Sequence, residues 1–434
     1  MQSPLAATQT RRLRLAAGVA AVVFALLVLI RLLARAGPDE LGAARDEAAH
    51  ARLEMAAQER RLAAMMMRGT GASAAGCPGP QFVPAELASA DEAGGAPPLV
   101  LVTGGAGFIG SALVVDLLSL RYRVRVLDNL STGNASNLPL KHPALELQVG
   151  DVTDAEACAA AAAGVDTVFH LAAFSRVAPS LQGGAKTAAA CQRANVDGTL
   201  AVLEAARVAK VRRVIYAGSS TAYGGDEEAD DGDEDAALGA TLAAQAHGAA
   251  PRPPLLPSWE LDRPAPRTPY SVSKHQGELL CAMYDATFGV HTASLRLFMV
   301  YGPREPREGP HATVVGKFVA AAAAGKPLRI EGDGQQTRDF VHVSDVSRAF
   351  VLAMQAPALP RRALINVGSG VATRIEAIAD ALAPGPHSQA PRRRQDMRHT
   401  MALTCAAERL LGWVPRVSLV DGLAEMLRME RERG

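Results

Sequence analysis

Aromatic side chains are scarce in this chain, 4% of its 434 residues, and alanine fills the deficit. Many helices and a core of small side chains follow from that substitution. Net charge is nearly absent as well: 45 basic and 44 acidic residues leave a formal charge of +1. No global field therefore draws the chain to nucleic acid. Cysteines are few, scattered and odd in number: Cys77, Cys158, Cys191, Cys281 and Cys405. That is neither a disulfide framework nor a zinc site, and no metal centre is expected. They read as small buried side chains with at least one unpaired. What is plentiful is length, enough for a core plus extensions.

The N-terminus differs from the rest. Arg11, Arg12 and Arg14 precede the uncharged run Leu15 to Ile30, and Arg31 and Arg35 follow it. At ~1.5 Å per residue the run spans roughly 24 Å, short of a ~30 Å hydrocarbon core. Leu32, Leu33 and Ala34 extend it if Arg31 snorkels. The reading is a cytoplasmic tail at 1–14 and a single-pass type II signal anchor helix at 15–34, more basic side cytoplasmic. The catalytic domain would then be lumenal in the Golgi or another secretory-pathway membrane. A cleaved signal, cut near Ala34-Arg35-Ala36, and an organelle targeting peptide stay open.

Residues 35–98 read as a helical stem and linker. Leu41, Ala44, Ala48, Ala51, Met55, Gln58, Leu62 and Met65 alternate spacings of three and four, an alanine-rich heptad seam. Either a weak coiled-coil stem or a solvated marginal helix fits it. Residues 69–98 carry Gly, Pro, Ser and Ala without period, as a linker does.

From Leu99 strands and helices alternate. Strand candidates are Leu99–Val102, Val124–Leu127, Leu145–Val149, Thr167–His170, Arg213–Tyr216 and Thr292–Leu297, and Ala185–Ala209 is the clearest helical stretch. This predicts an α/β fold with a Rossmann-type, doubly wound parallel sheet over 99–430. One tract interrupts it. Residues 225–266 join an acidic cluster, from Asp226 to Asp235, to a Pro/Ala-rich stretch, and are expected to form a disordered surface insertion. Their spacing does not match a calcium-binding loop.

Two motifs carry the chemistry. Thr103-Gly104-Gly105-Ala106-Gly107-Phe108-Ile109-Gly110 follows the first strand. Glycines three apart let the backbone approach a dinucleotide pyrophosphate, and the helix opening at Phe108 and Ile109 offers its N–H groups. The next strand ends in Leu127-Asp128-Asn129, where an acidic residue accepts hydrogen bonds from the adenosine ribose and repels a 2′-phosphate. NAD is favoured over NADP. Asp151 and Val152 end the third strand, at the adenine edge, and Leu171, Ala172 and Ala173 end the fourth, beside the nicotinamide. The second motif is Tyr270-Ser-Val-Ser-Lys274. Residues four apart share a helix face, so the ammonium can stabilise the phenolate and make tyrosine a base near neutral pH.

With these motifs the chain resembles the extended short-chain dehydrogenase/reductase superfamily, and within it the NAD-dependent nucleotide-sugar epimerases and dehydratases. The resemblance runs from about Leu99 to about Gly422. It includes His170-Leu-Ala-Ala, Asn195-Val-Asp-Gly-Thr, Ser219-Ser-Thr-Ala-Tyr-Gly, Val300-Tyr-Gly-Pro-Arg304, Gly332-Asp-Gly-Gln-Gln-Thr-Arg-Asp339, Asn366-Val-Gly-Ser-Gly370 and Leu411-Gly-Trp413. It implies an NAD-binding region mainly at 99–290, a smaller α/β substrate-binding subdomain mainly at 291–430, and a homodimer.

The resemblance also implies roles. Tyr270 is the base, Lys274 its partner and a ribose contact, and Ser219 the catalytic hydroxyl. Asn195 joins the cofactor set, and Ser220 and Thr221 adjoin the sugar. Arg338, Asp396 and Arg398 meet the diphosphate and uridine of a UDP-sugar, a task that suits guanidinium groups. Dehydratases of this family carry an Asp-Glu pair where Ser220-Thr221 stands, and UDP-glucuronate decarboxylases usually carry Glu at the position of Thr221. C4 epimerisation of a UDP-hexose is therefore expected, resembling a UDP-glucose or UDP-N-acetylglucosamine 4-epimerase. A decarboxylase, dehydratase or reductase is the alternative. Met299 stands where many relatives have a substrate-contacting Asn, which leaves an inactive, membrane-tethered NAD-binding scaffold as a further alternative.

Overall fold

A computed structural model describes residues 85–93, 96–175, 177–181, 184–224, 257–309, 311–393 and 396–432. The expected anchor, the heptad seam and residues 225–256 of the acidic insertion lie outside the described residues. Among the described residues, no helix is long and apolar enough to cross a membrane.

Seven strands build the main sheet: β1 (Leu99–Thr103), β2 (Arg123–Asp128), β3 (Leu145–Val149), β4 (Thr167–His170), β5 (Arg213–Ser219), β6 (Thr292–Leu297) and, after three strands given below, β10 (Ala363–Val367). Their order is β10-β6-β5-β4-β1-β2-β3 and every pairing is parallel. The central strands are buried on both faces, which is why they read as near-continuous apolar runs. Chain direction switches between β1 and β4, so a crevice opens there at the carboxyl ends of the strands, where a dinucleotide sits in this topology.

Helices cover both faces. On one face lie α1 (Phe108–Ser119) and, later in the chain, α8 (Val343–Gln355), whose Phe350 packs edge-on against Phe169 of β4 with ring centroids 6.2 Å apart. On the other lie α2 (Ala155–Ala162), α5 (Gly198–Val208) and α6 (Pro269–Phe288), packed on Val168, Val214 and Tyr216. The short α3 (Val177–Leu181) and α4 (Gly184–Gln192) lead into a π-helical turn, Arg193–Asp197, and then directly into α5. The expected helix at Ala185–Ala209 is thus present, with a π turn inside it. Such turns mark functional sites often.

After residue 290 the chain builds a second core. Strands β7 (Met299–Tyr301), β9 (Thr337–His342) and β11 (Ala372–Arg374) form one small sheet, and β8 (Arg329–Glu331) pairs with β12 (Ser388–Ala390). Helices α7 (Val314–Ala323), α9 (Ile375–Leu382) and α11 (Leu419–Arg431) pack around Tyr301, Phe340 and Met426, while α10 (Cys405–Leu411) joins the first core. The boundary near 290 is not sharp, because β6 and β10 return to the main sheet.

Three expectations need correction. The linker reading of 69–98 fails from Ala85 onward. Ala85 N–H donates to Gly412 O (2.9 Å), Ala90 N–H donates to Leu120 O (2.9 Å), and Ala90 is buried. Backbone bonds hold this strap, so no side-chain period announces it. The insertion reading fails for 257–266. Ser258 N–H donates to Met401 O (2.7 Å), Leu403 N–H to Ser258 O (2.9 Å), and Asn366 N–H to Glu260 Oε1 (2.7 Å). These residues pair with the 401–403 stretch that precedes α10 and with Asn366 inside β10. Finally, Cys158, Cys191 and Cys281 are buried and free, but Cys405 is disulfide-bonded.

Candidate active site

The glycine turn joins β1 to α1. Gly104 has φ +71°, and a Cβ there would stand 2.7 Å from Ala172 N, so Gly104 and the stretch Leu171-Ala172-Ala173 meet because one of them lacks a side chain. A Cβ on Gly110 would collide with Gly104 O. Gly107 begins α1 with no side-chain cap, and no acidic residue stands in the first turn. A helix start cleared in this way suits the pyrophosphate of a dinucleotide. Asp128 is buried at the end of β2. It accepts from Ala106 N–H (2.9 Å) and Leu130 N–H (2.8 Å), so the carboxylate that would meet the ribose also shapes the glycine turn. Asn129 donates to Asp151 Oδ2 (2.7 Å), and Asp151 also accepts from Thr153 N–H (2.9 Å), which fixes the ends of β2 and β3 together. Val152 is buried against Gly198.

Helix α6, which carries the expected Tyr270/Lys274 pair, starts where its sequence says it should. Thr268 caps it, Ser271 closes a capping box, Pro269 takes the first turn and Gly289 ends it in the left-handed region. Tyr270, half-buried, and Lys274, buried, lie one turn apart on it. Burial pushes the Lys274 ammonium down to about 8, against the opposing pull of Glu278, Cys281 and Cys191. Burial alone would raise the Glu278 carboxyl, but bonds from His275 and Arg296 hold it below its ordinary value. Arg296 Nε and Nη2 grip the two Glu278 oxygens at 2.9 and 2.8 Å.

Ser219 ends β5 and is buried. Its Oγ lies 2.9 Å from Thr221 Oγ1 and caps the short turn Ser220–Tyr223 by accepting from Thr221 N–H. Ser219, Ser220 and Thr221 thus form a cluster of hydroxyls at the mouth of the sheet. Asn195 sits in the π turn and is buried. It accepts from Phe174 N–H (2.6 Å) and donates to Ser273 Oγ (2.8 Å), so it ties the loop after β4 to α6. Its side chain braces the loop that follows Leu171-Ala172-Ala173 against α6.

The arginines lie apart from this cluster, in the second core. Arg338 is buried and donates to Asp396 Oδ1 (2.6 Å), so two of the three expected contacts to UDP are brought together. Arg398 instead holds Asp333 with two bonds of 2.7 Å and pulls that carboxyl down to about 2. Met299 pairs with Phe340 across β7 and β9 and packs on the second core.

Sequence reasoning placed His170 at the end of the fourth strand without giving its ring a role, and missed Tyr216. His170 links Thr103 Oγ1 (2.7 Å) to Thr199 Oγ1 (2.9 Å), and burial, then the charge of Lys274, pushes it down to about 3. It is a neutral connector between the end of β1 and the first turn of α5. Tyr216 stands beneath Lys274, with Nζ 4.6 Å from the ring centroid. The one local signal for it was Gly277 inside α6, where helices seldom keep glycine.

The sequence profile of the NAD dependent epimerase/dehydratase family matches residues 100–368. The chain belongs to this family. It is similar to UDP-glucose 4-epimerase of Mycolicibacterium smegmatis, 35% identical over 343 residues that cover 77% of this chain and 98% of that protein. It is also similar to a UDP-N-acetyl-alpha-D-glucosaminuronate decarboxylase of Bacillus cytotoxicus, 29% identical over 76% of this chain and 97% of that protein. Among solved structures, a UDP-glucose 4-epimerase of Thermotoga maritima with UDP-glucose matches with TM-score 0.67 and 30% identity, covering 77% of this chain and 99% of its own. The dTDP-glucose 4,6-dehydratase DesIV of Streptomyces venezuelae, with NAD bound, matches with TM-score 0.64 and 29% identity, over 77% and 97%. This epimerase/dehydratase therefore uses NAD and is an enzyme acting on nucleotide sugars. The cradle formed by Gly104, Gly107 and Gly110 fits that cofactor.

Proposed function

We propose that this family member is a UDP-hexose 4-epimerase. The observation that carries the reading is the hydroxyl cluster after β5. Where a dehydratase or decarboxylase would hold a carboxylic acid, Ser220 and Thr221 stand, with Thr221 Oγ1 bonded to Ser219. A hydroxyl cannot supply the proton that expels water from a hexose, whereas it can orient a C4 hydroxyl. When bound, NAD supplies a reversible hydride acceptor at C4. Tyr270 takes the C4 hydroxyl proton and later returns it, Lys274 stabilises the phenolate, and Ser219 bonds the C4 oxygen throughout. Arg338, Asp396 and Arg398 hold the UDP end.

The test is incubation of residues 77–434 with UDP-glucose, UDP-galactose, their N-acetylhexosamine counterparts and UDP-glucuronate, followed by product chromatography. Interconversion at C4 with no net NADH is expected. Carbon dioxide release from UDP-glucuronate, a 4-keto-6-deoxy product or stoichiometric NADH formation would each replace the reading, and no turnover at all would support the scaffold.

Two further parts of the reading rest on other features. A type II anchor at 15–34 with a lumenal catalytic domain is supported by the arginine-flanked run and by the disulfide at Cys405, since disulfides persist in oxidising compartments. A homodimer is supported by an apolar strip on neighbouring α5 and α6, where Val208 is 65%, Leu279 57% and Phe288 51% exposed. Leu279→Glu should turn a dimer into a monomer in light scattering.

A further inference from the structure

We infer that Tyr216, which no motif of the site includes, is a positioning residue for Lys274: its ring is the platform on which the ammonium rests, and its hydroxyl clamps the backbone of the same lysine. The inference rests on Lys274 being the partner of Tyr270.

The geometry is closed on every side. Tyr216 lies in β5, in register with His170 of β4 and Ser294 of β6, and is 1% exposed. Lys274 Nζ stands 4.6 Å from its ring centroid, within the range of a cation–π contact. The Tyr216 hydroxyl donates to Lys274 O (3.3 Å). The next turn of α6 makes room for it: a Cβ on Gly277 would collide with that hydroxyl. The Tyr216 hydroxyl thus accounts for a helix-interior glycine that propensity alone disfavours.

The surrounding groups leave the ring a specific task. Glu278, on α6, is the nearest carboxylate, but Arg296 of β6 holds both its oxygens, so its charge is largely shared. Cys281 on α6 and Cys191 on α4 are thiols whose burial raises them, so they stay neutral. His170 on β4 is neutral, and Tyr270 lies one turn back on α6. Burial disfavours the ammonium, and a ring face opposes that without bringing a competing anion. Tyr216 itself cannot act as the base. Burial, with Cys281, Glu278 and Tyr270 beside it, raises its hydroxyl well above the ordinary tyrosine value. One tyrosine is therefore kept protonated so that a lysine stays charged for the other.

The experiment replaces the ring stepwise. In the NAD-loaded protein, Lys274 is followed by 13C-lysine NMR titration, and the alkaline limb of kcat is recorded in parallel. Tyr216→Phe keeps the ring face and should leave both titrations in place. Tyr216→Leu removes the face and should move both down by about one pH unit, lowering kcat several-fold above that limb with little change in KM. A series of mono-, di- and trifluorophenylalanine at 216 keeps shape and burial while draining the ring face, and should move the titration down in steps. A flat fluorine series, or a Leu variant with an unmoved Lys274 titration, would overturn the inference. Failure of the epimerase reading leaves the lysine titration intact as a readout, because it needs no sugar substrate.

Discussion

The half of this molecule proposed to hold the cofactor and the half proposed to hold the substrate are built from different materials. The cofactor half is made of backbone: a left-handed glycine, a helix start without a cap, and strand ends locked by short side chains. The substrate half relies on long arginines, each already holding a carboxylate: Arg338 on Asp396 and Arg398 on Asp333. A backbone site has nowhere else to go and is set once the sheet forms. A side-chain site has an alternative partner, so its ligand must displace a bond to bind. On the proposed mechanism, Tyr270 and Lys274 lie on the first half and serve the second.

The largest effect should come from that junction. Tyr270→Phe is expected to retain NAD and lose roughly 10²–10⁴ in kcat, the usual worth of a positioned acid–base group. Stopped-assay turnover with cofactor content measured on the same sample decides it, and near-normal turnover would remove Tyr270 from the mechanism.

Lys274→Met should sharpen the contrast between function and stability. The folded lysine titrates at about 8 against 10.5 for an ordinary lysine. The unfolded chain therefore binds more protons between those values, so stability should rise with pH across that window and be penalised fully below it. The variant removes a penalty of up to ~3 kcal/mol at pH 7 and should lack the alkaline rise. Urea unfolding at pH 7 and pH 10 reads both; a destabilised variant at pH 7 would mean that the ammonium is fully compensated.

Asp128 probes whether the backbone-built half is separable from its ligand contacts. Asp128→Ala should narrow the preference for NAD over NADP about tenfold or more. It should also lower thermal stability, because Ala106 and Leu130 N–H lose their acceptor. Asp128→Asn keeps a carbonyl oxygen for one of them, and should narrow the preference with a smaller thermal loss. Calorimetric titration with both dinucleotides separates the two effects. A wild type that prefers NADP would show that the end of β2 is misassigned.

The smallest effect belongs to the arginine half. Asp333 is half-exposed, so its pair with Arg398 is worth about 0–1 kcal/mol. Asp333→Asn should free Arg398 and lower KM for the UDP-sugar by up to about fivefold with kcat unchanged. An unchanged KM would make Arg398 a brace for the 333–336 turn instead of a ligand.

What the sequence revealed follows the same division. Strands β3, β4 and β6 begin and end where their apolar runs do, and the glycine turn, Asp128 and the Tyr270/Lys274 pair stood in plain view, because their chemistry is written in local spacing. Tyr216 did not, because its meaning lies across the sheet, in a helix about sixty residues later. Residues 85–93 and 257–266 were misread for a related reason. Both are held by backbone hydrogen bonds to distant turns, which composition cannot report. Cys405 reads from the sequence as one more small buried side chain, since pairing depends on which residues meet in space.

The strap at 85–93 has a practical side. It runs from Gly412 to Leu120, the last turn of the helix that starts at the glycine cradle, and then enters β1 at its amino end. The strap therefore feeds into the sheet at the amino end of β1, opposite the carboxyl ends where the crevice opens. A fluorescent reporter at Asp91, exposed on the strap beside the end of α1 that lies farthest from the glycine cradle, would leave the mouth of the site uncovered.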